Sequence, residues 1–227
     1  MMIEEKVFNY LKELSQNNNR EWFLAHKETY SEIVESVVDF NKKWIEAVGQ
    51  QDGLVAQNDS RKAMFRIYRD LRFSKDKTPY KDHIGMAIGR DGRKGKWAGW
   101  YLHIEPGQRS FLAGGKWNPD AKELKAIRQE IDYNLEEFLA IIQDHDFQKS
   151  FSSLDKDESL INAPKGYEPN HPAIDILKLK AFTCSKFYTD KEVLSSHFIH
   201  QVVKDSLLLL PFIEFLNRPL GDVFQEQ

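Results

Sequence analysis

Apolar residues recur along the chain with two different periods, and the change of period divides it into three parts. Over about residues 3–49 they return every three or four positions, which predicts two N-terminal helices packed as an antiparallel pair. The asparagines at 17–19 end the first helix, and Asn18 followed by Glu21 has the spacing of a capping box for the second. Glycines at 49–53 end the second helix.

Over about residues 63–115 the apolar positions alternate with polar ones, and aromatic and branched side chains become frequent. Strand-like runs joined by Gly and Pro turns predict an antiparallel meander rather than alternating strands and helices. The predicted strands cover residues 63–73, 81–88, 97–105 and 109–113.

The helical period returns over about residues 118–216. Asn118 is the predicted N-cap, with Pro119 at the first helical position, and Pro211 is the predicted break in the last helical stretch. One further strand is predicted at 179–188. The chain is therefore predicted to form a single α+β domain over residues 1–227, with a central, mainly antiparallel sheet flanked by N-terminal and C-terminal helices.

Composition narrows the class of protein. The 227 residues are 41% hydrophobic and include 15 Phe, 8 Tyr and 5 Trp, enough for a sizeable core. No apolar run approaches the length of a membrane span, and the N-terminus lacks the apolar segment of a signal peptide. Cys184 is the single cysteine, which excludes an internal disulfide. We expect a soluble, cytoplasmic protein without a membrane partner, and the oligomeric state stays open.

Positive charge is concentrated in one short stretch. Between Arg61 and Lys81 eight basic residues accompany two acidic ones, whereas the whole chain carries a formal charge of −3. A basic island in an acidic protein favours a local anion site over a broad nucleic-acid surface.

The basic stretch offers a set of ligand-binding candidates for a phosphate or carboxylate. If residues 65–73 form one strand, Arg66 and Arg72 share a face but lie about 20 Å apart, too far for one small anion. The following turn, from Ser74 to Tyr80, is the better place for cations, hydroxyls and backbone N–H groups to converge. The predicted anion-binding residues are Arg66, Arg72, Lys75, Lys77, Tyr80 and Lys81.

A structural interpretation of the same stretch stands beside this one. In this interpretation Arg69, which lies on an otherwise apolar face, is buried and paired with an acid such as Glu105. Asp70 would then neutralise Arg72, and the lysines would be solvated turn residues. The sequence leaves both interpretations open.

A second group of polar residues lies on the predicted strand "WYLHIEPG". Alternation places Tyr101, His103 and Glu105 on one face, so His103 and Glu105 are the predicted proton-transfer pair of any catalytic site. The same two residues could ligate a metal, with His83 arriving from a neighbouring strand, or could simply form sheet hydrogen bonds and an ion pair. The spacing shows no third ligand, so neither a metal nor a cofactor is predicted.

Other motifs have mainly structural interpretations. His197 and His200 lack the glutamate of a zinc-protease helix, and Cys184 lies in an apolar run. The Gly pair of "GGKWNPD" leads into a helix without a phosphate-loop signature, although its amides could assist an anion. The loop at 163–172, with His171, either borders a pocket or connects two elements.

Three long motifs carry a family resemblance. "FRIYRDLRFSKDKTPYKDHIG", "GWYLHIEPGQRSFLAGGKWNPDAKEL" and "APKGYEPNHPAIDILKLKAF" closely resemble a widespread family catalogued only as a conserved domain of unknown function. The resemblance runs from about Tyr10 to Pro219. It implies a single-domain soluble protein and transfers no activity, cofactor or partner.

The sequence therefore predicts a small-anion-binding protein, and whether it is an enzyme stays open. The alternative is an interaction module for nucleic acid or an acidic partner, with Tyr68, Trp97 and Trp100 as stacking groups. The net negative charge disfavours nucleic acid without excluding it.

Overall fold

The structure is a computed structural model that describes residues 2–72, 75–156 and 158–225. Four strands form one antiparallel sheet in the order β1-β2-β3-β4. They are β1 (Ile84–Gly89), β2 (Gly99–Ile104), β3 (Ser110–Lys116) and β4 (Phe182–Tyr188). The predicted α+β class, with helices at both ends of the chain, is confirmed.

Helices precede and follow the sheet strands along the chain. The N-terminal helices are α1 (Glu5–Gln16), α2 (Arg20–Ala25) and α3 (Lys27–Gly49). Those after β3 are α4 (Ala121–Tyr133), α5 (Leu135–Ile142), α6 (His145–Phe151), α7 (Ile174–Leu177), α8 (Asp190–Val193), α9 (Phe198–Leu208) and α10 (Leu210–Gln225). Short 3₁₀ turns lie at Val55–Gln57 and Gly92–Lys94. Within the described ranges, no helix has the length and apolar character needed to cross a bilayer.

The chain divides into two compact units, and the first contains Met1–Gly95, Trp100–Leu112 and Phe187–Lys204. Its helices bury the residues that the helical period selects. In α3, for example, Phe40 and Trp44 are fully buried, and Phe40 stacks on Phe198 at a ring-centroid distance of 5.6 Å. Four-residue spacing places both α3 side chains on one face of the helix.

The start of the second helix differs from the prediction by one residue. Asn19, not Asn18, caps α2, because its side chain accepts a hydrogen bond from the Trp22 backbone N–H at 2.9 Å. The Asn18 side chain instead bonds both the N–H and the C=O of Tyr80, at 3.0 and 2.9 Å. Asn18 thus connects distant parts of the unit and does not cap the helix.

The predicted continuous strand at 65–73 is wrong. In the structure Phe65 N–H donates to Gly85 C=O of β1 at 2.9 Å, whereas Arg69 N–H donates to Pro79 C=O at 3.0 Å. Isolated bridges join Met64 to Met86 and Tyr68 to Tyr80. The segment therefore changes its hydrogen-bond partner after about three residues and is not one continuous strand. Phe73 and Ser74 lie outside the described residues.

The second unit contains Lys96–Gly99, Ala113–Lys186 and Asp205–Gln227. The N-cap of its helix α4 lies two residues after the predicted cap at Asn118. Asp120 is the N-cap and forms a capping box with Glu123, whereas Asn118 adopts a left-handed conformation with φ 49°. The Asp120 carboxylate accepts from two backbone N–H groups, a stronger cap than Asn118 could provide from outside the helix.

A buried ion pair lies at the start of the same helix. Lys116 Nζ is 3.0 Å from Glu123 Oε2, and the two residues are 5% and 3% exposed. Lys116 also donates to the Lys96 carbonyl, and Glu123 accepts from Asp120 N–H at 2.8 Å. Additional hydrogen bonds of this kind offset the desolvation of a buried pair.

Two glycines of β3 allow close approach of neighbouring groups in this unit. A Cβ at Gly115 would overlap the Phe182 carbonyl oxygen of β4 and lie 3.0 Å from Phe212 Cε1. The backbone at Gly115 has φ 127°, which side-chain-bearing residues rarely adopt. The Gly pair of "GGKWNPD" therefore has a packing role here.

The C-terminal helical stretch is interrupted, as predicted, but at Leu209 between α9 and α10 and not at Pro211. Pro211 falls in the first turn of α10, where a missing N–H costs little. The short helix α6 was not predicted, because its seven residues contain only a brief apolar pattern.

Cys184 is fully buried in β4, and burial raises the pKa of its thiol well above the usual range. We expect its reaction with a thiol reagent such as DTNB to be at least about 100-fold slower in the native protein than in guanidinium chloride. Absorbance at the thionitrobenzoate band measures both rates. Rapid labelling of the native chain would contradict the burial of this side chain.

Candidate functional site

Two polar features of the first unit are candidates for function, and the first is a cluster on β2 and its neighbour. His83, His103 and Glu105, called the histidine cluster below, each offer one ligand-type atom, and these atoms lie within 4.8 Å of one another. His103 Nε2 is 2.8 Å from Glu105 Oε2. The alternation of β2 thus brings the predicted pair together, and the start of β1 adds His83.

His103 is held between two rings. The His83 ring stacks on it at 4.3 Å and the Phe111 ring at 4.8 Å, measured between centroids. The His103 side chain is 11% exposed, whereas that of His83 is 26% exposed. The cluster is therefore closed by Phe111 and reachable from solvent beside His83.

Each member of the histidine cluster has a second polar partner. His103 Nδ1 lies 3.0 Å from the Tyr101 hydroxyl, and His83 Nδ1 lies 3.4 Å from Asp82 Oδ1. Arg109 Nε donates to Glu105 Oε1 at 2.5 Å. In each residue of the cluster, therefore, one polar atom contacts a residue outside the cluster and another is left to face the other members.

The surroundings shift two pKa values. Burial lowers the pKa of His83, and the neighbouring His103 lowers it further, against the opposing effect of Asp82. Burial, followed by the negative charge of Glu105, raises the pKa of Tyr101 to about 12. Both shifts favour the neutral forms of these side chains.

The turn after β2 fixes the carboxylate of the cluster. Ser110 Oγ accepts from Glu105 N–H at 2.9 Å and donates to the Glu105 C=O at 3.0 Å. The N–H groups of Gly107 and Gln108, which have φ 88° and 66°, donate to the Asp190 carboxylate. Glu105 and Arg109 therefore project from a turn that is anchored at both its base and its tip.

The second feature is a cavity of about 750 Å³, called the basic cavity below. Six of the described lining residues are basic, namely Arg61, Lys62, Arg66, Arg90, Arg93 and Lys94. Asp59 and Asp91 are the acidic residues among the described lining. This excess of positive charge arises where the basic stretch meets the connection after β1.

Several cations of the basic cavity are held in place. Arg61 pairs with Glu35 at 2.5 Å, and Arg90 Nε is 3.1 Å from Asp52 Oδ2. Arg93 Nε donates to the Lys62 C=O at 3.0 Å. These contacts orient three guanidinium groups on the cavity wall.

Phe65 connects the two features. It lines the basic cavity, carries the Arg93 guanidinium over its ring at 4.7 Å, and meets the Tyr101 ring edge-on at 5.8 Å. Tyr101 in turn bonds His103. Two aromatic rings therefore separate the basic cavity from the histidine cluster.

The structure places only part of the predicted anion-binding set at the basic cavity. Arg66 lines the cavity, and Lys81 lies beside it, with Nζ 3.0 Å from the Arg66 C=O and 5.5 Å from the Phe65 ring centre. Burial lowers the pKa of Lys81, and positive charge on Arg66 and Arg93 lowers it further. Local positive potential is thus concentrated around these cations.

The remaining predicted residues do not converge there. Lys77 Nζ donates to the Leu71 C=O at 3.0 Å, and Lys75 is exposed. Tyr80 is 3% exposed and stacks on Phe23 at 4.1 Å. Arg72 forms a forked pair with Asp70, whose pKa falls to about 2 mainly because of that hydrogen bond. Lys77 and Tyr80, which lie in the turn predicted to wrap an anion, are therefore in contact with other residues of the protein.

These contacts decide two points of the structural interpretation. The predicted neutralisation of Arg72 by Asp70 is confirmed. The predicted pairing of Arg69 with an acid is confirmed, but the acid is Asp76 of the turn and not Glu105, and Arg69 also donates to the Thr78 hydroxyl. Glu105 has Arg109 as its partner instead.

The other motifs take structural positions. His171 Nε2 is 2.8 Å from Asp132 Oδ1 in the second unit, so the loop at 163–172 is attached to α4. The His197 and His200 rings are 6.3 Å apart. Of the three proposed stacking groups, Trp100 is buried, Trp97 packs edge-on against Phe224, and Tyr68 is 53% exposed.

Sequence reasoning missed several residues of both features. His83 was considered only as a ligand that could arrive from elsewhere, because strand spacing does not reveal what an adjacent element contributes. Arg90, Arg93 and Lys94 lie in a Gly-containing connection between two predicted strands and are not among the predicted binding residues, although their charge is a signal that the sequence contains.

Comparison with known proteins bears on the family. A family model described as conserved hypothetical protein (DUF2461) matches residues 6–215, which confirms the resemblance seen in the three motifs. Searches of curated proteins and of solved structures found no match.

Proposed function

We propose that this chain, which belongs to the conserved hypothetical protein family DUF2461, binds a small phosphate- or carboxylate-bearing anion in the basic cavity. The observation that carries the proposal is the lining of one 750 Å³ cavity by six basic side chains and two acidic ones among the described residues. Such a charge excess in a concave site favours an anionic ligand.

Arg66 is the residue best placed to contact the ligand. Its side chain is exposed on the cavity lining, and the described part of the chain provides its guanidinium with no hydrogen-bond or ion-pair partner. A guanidinium presents paired N–H donors that match carboxylate and phosphate oxygens. Arg61, Arg90 and Arg93 are already oriented, so a ligand would meet a partly fixed set of cations.

An anion would also relieve the crowding of positive charge near Lys81. The pKa of this ammonium is lowered in part by Arg66 and Arg93, which means that its charged form is disfavoured there. A bound anion would compensate these like charges.

We extend the proposal to catalysis, because the predicted proton-transfer pair lies near the basic cavity. His103 and Glu105 are hydrogen-bonded at 2.8 Å, and Tyr101 lies between them and the cavity wall formed by Phe65. A ligand that reached past Phe65 would meet this pair. The predicted cytoplasmic location is supported by the single cysteine, which has no disulfide to form within the chain.

Isothermal titration with inorganic phosphate, pyrophosphate and citrate, at constant ionic strength, tests the proposal. We expect at least one of these probes to bind, and Arg66→Ala to raise its dissociation constant about 10-fold, the value of one charge-assisted hydrogen-bond pair. Arg72→Ala is the matched control, because it removes the same charge from the same stretch outside the cavity lining and should leave affinity within about 2-fold.

Two results would count against the proposal. Equal loss of affinity in both variants would indicate a diffuse charge effect and no defined site. Absence of binding by all three probes, together with salt-dependent binding of an oligonucleotide, would favour the nucleic-acid alternative.

A further inference from the structure

We propose that the histidine cluster is a binding site for a divalent transition-metal ion, ligated by the Nε2 atoms of His83 and His103 and by Oε2 of Glu105. The proposal does not depend on anion binding in the basic cavity.

The separations in the cluster suit a metal after small side-chain movements. Each of the three residues offers one ligand-type atom within 4.8 Å of the other two, and His103 Nε2 and Glu105 Oε2 are 2.8 Å apart. A tetrahedral ion with bonds of about 2.0–2.1 Å holds its ligand atoms about 3.4 Å apart. Rotations that move these atoms by about 1 Å bring the cluster to this geometry.

The outer partners select the same three atoms. Histidine ligands usually donate their other ring N–H to an oxygen, which fixes the tautomer and the ring plane. Here Tyr101 lies at His103 Nδ1, 3.0 Å away, and Asp82 lies nearest His83 Nδ1, 3.4 Å away. Both contacts leave Nε2 as the ligand atom.

The Glu105 carboxylate is also oriented by partners outside the cluster. Arg109 occupies Oε1 of Glu105, and Ser110 holds the Glu105 backbone through two hydrogen bonds. Oε2 is left facing His103. A cluster in which every ligand has its own orienting partner is typical of metal sites.

A second histidine–carboxylate pair in the chain shows the contrast. His171 and Asp132 are also 2.8 Å apart, but no third histidine or carboxylate completes a metal-type cluster with them among the described residues. His171 and Asp132 therefore form a structural contact. The histidine cluster differs because His83 adds a second imidazole to the site.

Two imidazoles and one carboxylate suit Zn²⁺ or Fe²⁺ and leave at least one coordination position open. Phe111 closes one side of the cluster, and the partly exposed His83 gives access from the other. A metal in this position would supply Lewis acidity and a bound water of lowered pKa. The ion would then lie between His103 Nε2 and Glu105 Oε2, which are 2.8 Å apart in this structure.

Titration of the full-length, chelator-treated protein with Zn²⁺ and Co²⁺ in phosphate-free buffer tests the site. We expect one ion per chain and, with Co²⁺, visible d–d absorption. His83→Ala, His103→Ala and Glu105→Gln should each weaken binding about 100-fold or more, and Tyr101→Phe about 10-fold. His171→Ala, the control, should bind like the wild type.

Nitrogen-15 spectra of the wild-type histidine rings test the same assignment without any variant. Zn²⁺ should shift the Nε2 resonances of His83 and His103, and in the metal-bound protein both rings should show the spectrum of an imidazole protonated at Nδ1. Absence of stoichiometric binding, or Zn²⁺ contacts confined to other histidines, would overturn the proposal. Circular dichroism shows whether each metal-free variant is folded. Anion titration of the metal-free protein is scored separately, so failure of one proposal does not imply failure of the other.

Discussion

Gly115→Ala is expected to lower the free energy of unfolding by at least about 4 kcal/mol, a loss large enough to leave much of the chain unfolded at 37 °C. The added Cβ would overlap the Phe182 carbonyl oxygen, a backbone group that cannot rotate away. Alanine also disfavours φ 127°, so steric overlap and backbone strain act together.

Gly53→Ala is the matched control for this substitution. No heavy atom lies within 4 Å of the Cβ that it would add. We expect a change within about 0.5–1 kcal/mol, toward stabilisation if the unfolded chain loses freedom. Urea unfolding followed by circular dichroism measures both variants. Equal midpoints for the two would show that β4 can move away from Gly115 at little cost.

Glu123→Leu is expected to cost about 3–5 kcal/mol of unfolding free energy. The substitution leaves the Lys116 ammonium buried without its carboxylate, and it removes the acceptor for the Asp120 N–H at the start of α4. Glu137→Ala is the control, because its pair with Arg218 has exposed partners and should contribute less than about 1 kcal/mol.

The double variant Lys116→Met/Glu123→Leu separates an unpaired charge from lost packing. We expect it to recover part of the loss, because no buried charge then remains without a partner. Chemical unfolding of the wild type, Lys116→Met, Glu123→Leu and the double variant completes a double-mutant cycle. Equal or greater instability in the double variant would mean that the pair itself, with its hydrogen bonds, stabilises the unit.

The sequence indicated most helices and strands because their periods differ and because burial follows those periods. It failed for the strand predicted at 65–73, because burial still alternates over the described residues 65–72 while the hydrogen-bond partner changes from β1 to residues 79–81. Alternation constrains which face a side chain occupies, and it does not specify which segment pairs with the backbone. The local bonds of Arg69 to the turn were equally invisible to a pattern of apolar positions.

The same distinction explains what could be predicted of the candidate site. His103 and Glu105 are two residues apart around the end of one strand, so their proximity follows from the strand repeat. His83 depends on the register between neighbouring segments, which the sequence does not contain. The contacts of the candidates Arg72 and Lys77 could not be predicted for another reason, because charge density alone does not tell whether nearby oxygens already accept from a cation.

The pairing of residues 63–65 with β1 has a consequence for the behaviour of many copies of this chain together. β1 ends the strand order and consists of small and apolar residues, a type of edge strand that readily recruits a strand from another molecule. The backbone of Ala63 and Phe65 already occupies hydrogen-bonding groups along that edge, and Arg61, Lys62 and Arg66 add like charges beside it. We therefore expect the basic stretch to protect the chain against edge-to-edge aggregation.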